Sequence, residues 1–360
     1  MRTKSLLNSA RRLAWALVLS LAACSPPAQW IAVTGEDARE MVLFKSDLSV
    51  QHVTPLAASD FGGASTLTAV FARDGASFYV AHTGSSGSYL SLIRRSDGRV
   101  LGRRDFSPGL TPRTLMLTRD ARTLIVTASP ATGGRVGTIS LLFSDSFIER
   151  SRIEPCRGHP VGLAVLPDLD RGYTRCHGDE ATVIEVDVAL GRVANTMALD
   201  QGAGLAPHAR RCGPGGIALS PSGNVLLIPC SASGSLLYLD RLTLQVLDSI
   251  PVGVGAHHIA AAPRDPVALV TFPDSNAASL IDLARRSIIA RIITPGSPGA
   301  VDISGDGRMG YILCGGESEP RTLLMFDLRT QDIENTVRMA PGSQTLTIWP
   351  GKWSPTMRWR

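Results

Sequence analysis

Lysine is almost missing from this 360-residue chain: Lys4, Lys45 and Lys352 stand against 33 arginines. No Lys-rich tail or cluster exists to act as a basic arm. Aromatic residues reach only 5%. No apolar run approaches the roughly 20 residues that span a bilayer core, so nothing reads as a spanning anchor. Helical apolar periodicity is lacking too, which argues against an α-solenoid. G-x-S-x-G, H-E-x-x-H, a P-loop and C-x-x-C-H are all missing, so hydrolase, zincin, NTPase and haem-attachment readings find no motif. What remains is globular in composition: 44% apolar and 19% charged, with 35 Gly and 23 Pro. The apolar fraction excludes a disordered chain, and the Gly residues follow no triplet period.

The formal charge of +5 and pI near 9 invite a nucleic-acid or acidic-membrane reading. Their source is the N-terminus. Arg2, Lys4, Arg11 and Arg12 precede an apolar run from Leu13 to Ala23, the make-up of an export signal. The run ends in Leu21-Ala22-Ala23-Cys24, which resembles the lipobox of bacterial lipoproteins. The resemblance implies that Cys24 is diacylated and becomes the mature N-terminus. Acyl chains then supply the membrane affinity, each buried CH₂ adding about 0.8 kcal/mol. Ser25, in place of Asp, points to the outer membrane. Residues 1–23 hold four basic residues and no acidic one, so the mature chain has 32 Lys+Arg against 31 acids. That balance gives no reason to expect nucleic acid.

The rest of the chain repeats. Pro214–Gly223, Val225–Pro229, Leu236–Asp240 and Val246–Val252 read as strand, turn, strand, loop, strand, turn, strand. The grammar recurs from Pro160 and Pro298, with fainter copies near Thr66, Pro112 and Ala256. One apolar residue early in each first strand aligns: Ala69, Leu115, Leu163, Ile217, Ile259 and Val301, at intervals of 46, 48, 54, 42 and 42. Four short strands per unit with Gly, Pro, Asp and Ser turns is the signature of a β-propeller blade. Six blades are complete. Trp30–Thr34, Met41–Ser46 and Val50–Pro55 supply strands B, C and D of a seventh, and Gln344–Trp349 its strand A. The expected fold is all-β: a seven-bladed propeller of four-stranded antiparallel blades, closed by pairing the two chain ends. The chain divides into a signal peptide (1–23), a lipidated tether (24–29), the propeller (30–350) and a tail (351–360) carrying Trp353 and Trp359.

The Pro-x-Gly-apolar-x-apolar-Ser start, the Asp ending strand C (Asp187, Asp240, Asp282, Asp327) and Tyr79-Val80-Ala81-His82 resemble YVTN-type propeller repeats over roughly residues 30–350. Pro112 and Pro160 depart from the pattern in lacking the following Gly, and the motif's final Asn is never present. The resemblance implies fold and broad class rather than activity. The Asp series is expected to cap turns by accepting backbone N–H bonds.

Thirteen residues after each aligned position lie His82, Ala128, Cys176, Cys230, Phe272 and Cys314. Cys156 and Cys212 come seven and five residues before the markers of their own blades. Antiparallel A and B strands bring the start of A to the end of B, which predicts Cys156–Cys176 and Cys212–Cys230. Each closes a loop of about 20 residues, worth on the order of 3 kcal/mol; Cys314 should be free. The alternative, a shared metal, lacks the usual ligand spacing.

The D-to-A and B-to-C connections share one face and are the longer set. Ligand candidates map there: His159, His208, His257 and His258 in D-to-A loops, with His82 and His177 at the starts of B-to-C loops. Arg113, Arg157, Arg175, Arg210 and Arg211 share the face. These residues could bind a metal through His, hold an anion in Arg forks, or be solvated loop residues. Asp302, in the innermost strand of blade 6 where other blades carry Val70, Met116, Ala164, Ala218 and Ala260, is either hydrated structure or a ligand contact. No catalytic residue and no cofactor is indicated. The expected function is a membrane-anchored, periplasm-facing binding or scaffold module for an envelope protein or component. The alternative is a metal- or cofactor-dependent enzyme, or a small-ligand carrier, at the channel mouth. Because Trp30 begins a strand B on the short-turn face, a six-residue tether reaching about 20 Å would set that face toward the membrane.

Overall fold

The computed structural model describes residues 30–349 except 36–39, 56–64, 85–86, 119, 131–135, 157, 167–170, 178–180, 200–211, 214, 316–320 and 340–342. The signal segment, Cys24, the tether, the tail, His208, Arg157, Arg210 and Arg211 lie outside the described residues. Those residues form seven four-stranded antiparallel sheets. Blade 1 covers 65–105, blade 2 110–156, blade 3 159–198, blade 4 218–251, blade 5 259–293 and blade 6 298–339. Blade 7 joins Ser343–Trp349 to Trp30–Gly35, Glu40–Lys45 and Val50–Pro55, with Trp349 opposite Trp30. The closure expected from the two chain ends is therefore present, and it removes two open sheet edges. No helix among the described residues is long and apolar enough to cross a membrane.

Each strand's composition follows from its radial position. Strands B and C are covered on both faces by neighbouring blades, so they read as continuous apolar runs; Thr123–Pro130, Val225–Cys230 and Ala277–Asp282 are buried almost throughout. The outermost strands alternate instead, as in Val100–Asp105 and Arg192–Ala198, because one face meets solvent. The core lies between blades, as clusters that pair residues of one blade with the next. All seven C–D pairings carry a register shift with one extra residue in strand D, opposite Leu92 and Ile93 in blade 1 and opposite Met325 and Phe326 in blade 6. Such bulges increase local twist.

The turns behave as their residues dictate. Asp240 accepts the N–H groups of Leu242 and Thr243, Asp282 those of Ala284 and Arg285, and Asp327 those of Arg329 and Thr330. Asp187 accepts that of Leu190. The carboxylates are thus turn caps, and these backbone bonds are the main cause holding Asp240 and Asp282 below the usual carboxylate range. Every C–D turn has one left-handed residue: Leu48, Gly98, Phe147, Gly191, Leu244, Arg286 and Gln331. Leu48, Phe147 and Leu244 bury their side chains, which offsets the cost of that conformation. Among A–B turns, Gly75, Gly223 and Gly307 take the left-handed position, and Ala121 (φ 58°) takes it in blade 2.

Candidate functional site

The inner strands line a central channel. Its cavity, about 390 Å³, is walled by Ala69, Leu115, Leu163, Ile217, Ile259 and Val301 with their neighbours, and it includes Asp302. The aligned markers thus face the axis together. Asp302 is half-buried; it accepts the N–H of Ile303 at 2.9 Å. None of the described histidines lines this cavity.

Both predicted disulfides form. Cys156 and Cys176 have Cα atoms 6.2 Å apart, and Cys212 and Cys230 4.2 Å apart. Cys314 is a free, buried thiol, and burial pushes its pKa up to about 12. One bridge ties Cys156, at the end of the outermost strand of blade 2, to strand B of blade 3, and the other ties Cys212, in the connection before blade 4, to the end of that blade's strand B. Between them lies Arg175, which is 1% exposed. Its guanidinium donates to the carbonyls of Gly213 at 2.5 Å and Pro229 at 3.0 Å, and toward Cys212 Sγ at 3.3 Å. Gly215 makes room for it: a Cβ there would sit 2.8 Å from Arg175 Nη1 and 2.7 Å from the Pro229 carbonyl. The close approach needs glycine at this position of Pro-Gly-Gly.

Arg175 therefore departs from the solvated loop-face residue expected. It sits inside strand B of blade 3 and points sideways into blade 4, because adjacent blades stack face to face. His82 departs likewise. The blade 1 hairpin stays paired as far as Gly84 opposite Gly87, two residues beyond the expected strand end, so position 82 lies within the ladder. Its ring is fully buried, with Nε2 2.7 Å from Ser91 Oγ, and it stacks on Tyr89 at 4.6 Å. Desolvation, with Arg103 adding, pushes His82 down to about 3.

His257 and His258 do come together, in the connection before strand A of blade 5. Their rings meet edge-to-face with centroids 4.4 Å apart. The backbone is fixed on both sides: His257 N–H donates to the Thr271 carbonyl, Thr271 N–H to that of His258, and Gly216 N–H to that of His257. Burial and His257 push His258 down to about 3. His257 is lowered by burial and then by Arg175, with Asp274 opposing. Both rings are neutral at pH 7, and the buried Nδ1 of His257 has no hydrogen-bond partner among the described residues. His159 is exposed and opposite His177 at the entry of blade 3. Arg113 is exposed at the register shift in the inner strand of blade 2. The structure thus joins His257, His258 and the buried Arg175 into one sector, with His159, Arg113 and Asp302 outside it. Among the described residues, no three His, Cys, Asp or Glu side chains gather as a metal site.

A second concavity was not anticipated. It measures about 740 Å³ and opens on the opposite, short-turn face between blades 4 and 5. Its walls include Leu227, Tyr238, Leu283, Arg264 and Arg286. The Tyr238 hydroxyl is buried and has no hydrogen-bond partner among the described residues. A sequence signal for it exists: ten residues after the aligned markers stand Tyr79, Tyr173 and Tyr311, but Leu227 in blade 4.

By sequence, the chain matches no known family and no curated protein. By structure it is similar to hydrazine synthase of Kuenenia stuttgartiensis, with a TM-score of 0.63 over 84% of this chain and 90% of that one. The two are 13% identical, so the likeness concerns the seven-bladed fold alone.

Proposed function

We propose that the protein is an exported, lipid-anchored propeller whose long-loop face binds a protein or other component of the cell envelope. The carrying observation is the stapled sector of blades 3 to 5. Two disulfides and the carbonyl-clamping Arg175 fix Cys156, Cys212 and Gly213, the described ends of two successive connections. Loops ordered before contact lose less conformational freedom on binding, which is what a recognition surface needs. Disulfides also fit an oxidising compartment, in agreement with the export reading of residues 1–23. Acylated Cys24 would hold the short-turn face toward an outer membrane and turn the stapled face into the periplasm.

Purification from the native envelope tests this reading. The expected product is metal-free and colourless, and carries an envelope protein in fixed ratio. Introducing glutamate at the exposed Arg113 and His159 (R113E/H159E) should strip that protein away, while introducing it at the exposed Gln331 (Q331E) on the opposite face should not. A stoichiometric metal or chromophore lost in His257→Ala would overturn the binding reading in favour of chemistry at the His257–His258 pair. Retention of Cys24→Ser in the membrane fraction would refute the lipid anchor.

A further inference from the structure

The cavity between blades 4 and 5 lies beside a position that carries tyrosine in blades 1, 3 and 6 (Tyr79, Tyr173, Tyr311) but Ile125, Leu227 and Leu269 in blades 2, 4 and 5. In blade 1 the Tyr79 hydroxyl crosses to blade 2 and donates to the carbonyl of Ser144, 3.1 Å away. In blade 6, Tyr311 crosses to blade 7 and donates to the carbonyl of Ser46 at 2.9 Å. Both acceptors are the first residue after strand C of the next blade. The Tyr173 hydroxyl of blade 3 donates to Glu185 of its own blade at 3.3 Å and also meets Arg241, which has the same place in blade 4. Each phenol fills the wedge between two blades and ends on the neighbour's C–D turn.

At the 4/5 junction the matching residue is Leu227, and the matching turn residue is Leu283; both wall the cavity. Leucine is shorter than tyrosine by most of a ring and carries no donor. At the 5/6 junction, where Leu269 also replaces tyrosine, the space is closed differently: Leu269 packs onto Gly310, where a Cβ would collide with it. The 4/5 wedge is left open. The cross-strand neighbour of Leu227, Tyr238, also walls it. Tyr238 is 4% exposed, and a buried hydroxyl without a partner is destabilising. Burial, opposed by Arg286, pushes it up to about 12, so at neutral pH it is a proton donor in want of an acceptor.

Charge narrows the ligand further. Two arginines and no carboxylate wall the cavity. Arg286 is already neutralised by Asp248 and lies over the Tyr238 ring, 5.4 Å from its centroid. Arg264, exposed on the A–B turn of blade 5, forms no ion pair among the described residues. One net positive charge at the rim favours a monoanion.

We propose that this cavity binds a small phenolic carboxylate, whose ring takes the place that a strand-B tyrosine fills at other blade junctions. The ligand's phenol donates to the Leu283 carbonyl and accepts from the Tyr238 hydroxyl. Its carboxylate meets Arg264. The site is independent of the long-loop face, and its success or failure does not bear on the partner proposed there.

The test is calorimetric titration with 4-hydroxyphenylacetate, compared with phenylacetate (no phenol) and 4-methylphenol (no charge). The parent compound should bind one to one, and each analogue about tenfold more weakly. Tyr238→Phe should reduce the preference for 4-hydroxyphenylacetate over phenylacetate, leaving the part due to the Leu283 carbonyl; Arg264→Ala should erase the preference over 4-methylphenol. Leu227→Tyr restores the repeat and should abolish binding while the circular dichroism spectrum and melting temperature stay native. Should that variant not fold, the two preference tests decide. Failure of 4-hydroxyphenylacetate to bind at millimolar concentration overturns the proposal. So does binding that a folded Leu227→Tyr leaves intact, or preferences that Tyr238→Phe and Arg264→Ala leave unchanged.

Discussion

Removing the Cys212–Cys230 bridge isolates what it contributes, provided both sulfurs go together so that no orphan thiol is left. In Cys212→Ala/Cys230→Ala the Arg175 bonds to the Gly213 and Pro229 carbonyls can persist, because neither needs a sulfur. The main loss is then the cross-link's constraint on the unfolded chain. The bridge spans 18 residues, for which loop-closure entropy gives about 3 kcal/mol at 25 °C. A domain of roughly 300 residues has an unfolding entropy of about 0.6 kcal/mol per kelvin, so the melting temperature should fall by about 5 °C. The Cys156–Cys176 bridge spans 20 residues and should give nearly the same drop. Removing both should cost less than the sum, since Arg175 joins the two connections. The assay is a set of calorimetric melts of the parent and the three variants, with bridges verified by peptide masses of an unreduced digest. If the masses show both bridges and melting is unchanged within 1 °C in every variant, the loop-entropy argument is wrong. If the masses show free thiols at these positions, the pairing itself is wrong.

Ala121→Gly should stabilise the protein by up to about 1 kcal/mol, since Ala121 holds the left-handed conformation that Gly75, Gly223 and Gly307 hold in other blades; urea melts at pH 7.5 read the gain. His82 gives a pH dependence with a definite sign. Its folded pKa is depressed to about 3, so stability is full above the unfolded value near 6.5 and falls as pH drops toward the folded value. At pH 5.5 the loss is about 1.4 kcal/mol from this residue. The difference in unfolding free energy between pH 7.5 and 5.5 should shrink by that amount in His82→Gln, whatever the variant's absolute stability. Cys314, buried with its pKa pushed up to about 12, should resist a thiol reagent in the native protein and react in urea. Rapid native labelling of its peptide would contradict the packing described.

Repeat spacing, turn residues and the cysteine offsets are local, so they were legible. The pairing of Ser343–Trp349 with Trp30–Gly35 follows from counting strands, and the bridges follow from antiparallel A and B strands. Asp240 and Asp282 cap turns within three residues of themselves, so their role could be read from type and place. Arg175 and His82 could not be read that way. Residue type puts an arginine near the end of a strand in solvent, yet the adjoining blade supplies carbonyls that no pattern in blade 3 announces. The open wedge beside Leu227 is also a relation between blades: alignment exposes the exchange of tyrosine for leucine, but only packing shows that the space is left unfilled.

Blade 7 has a consequence for the order of events in the cell. Its innermost strand, Ser343–Trp349, is translated after almost all of the described chain, while its other three strands come first. If the chain crosses a membrane in an extended form, the earliest segment to emerge waits for the latest before its sheet is complete. On such a route the ring would close only after release from the translocation channel. Contacts spanning the whole chain also make closure slow. Until then Trp30–Gly35 presents an unpaired edge, so this is the interval in which a holding factor has something to protect.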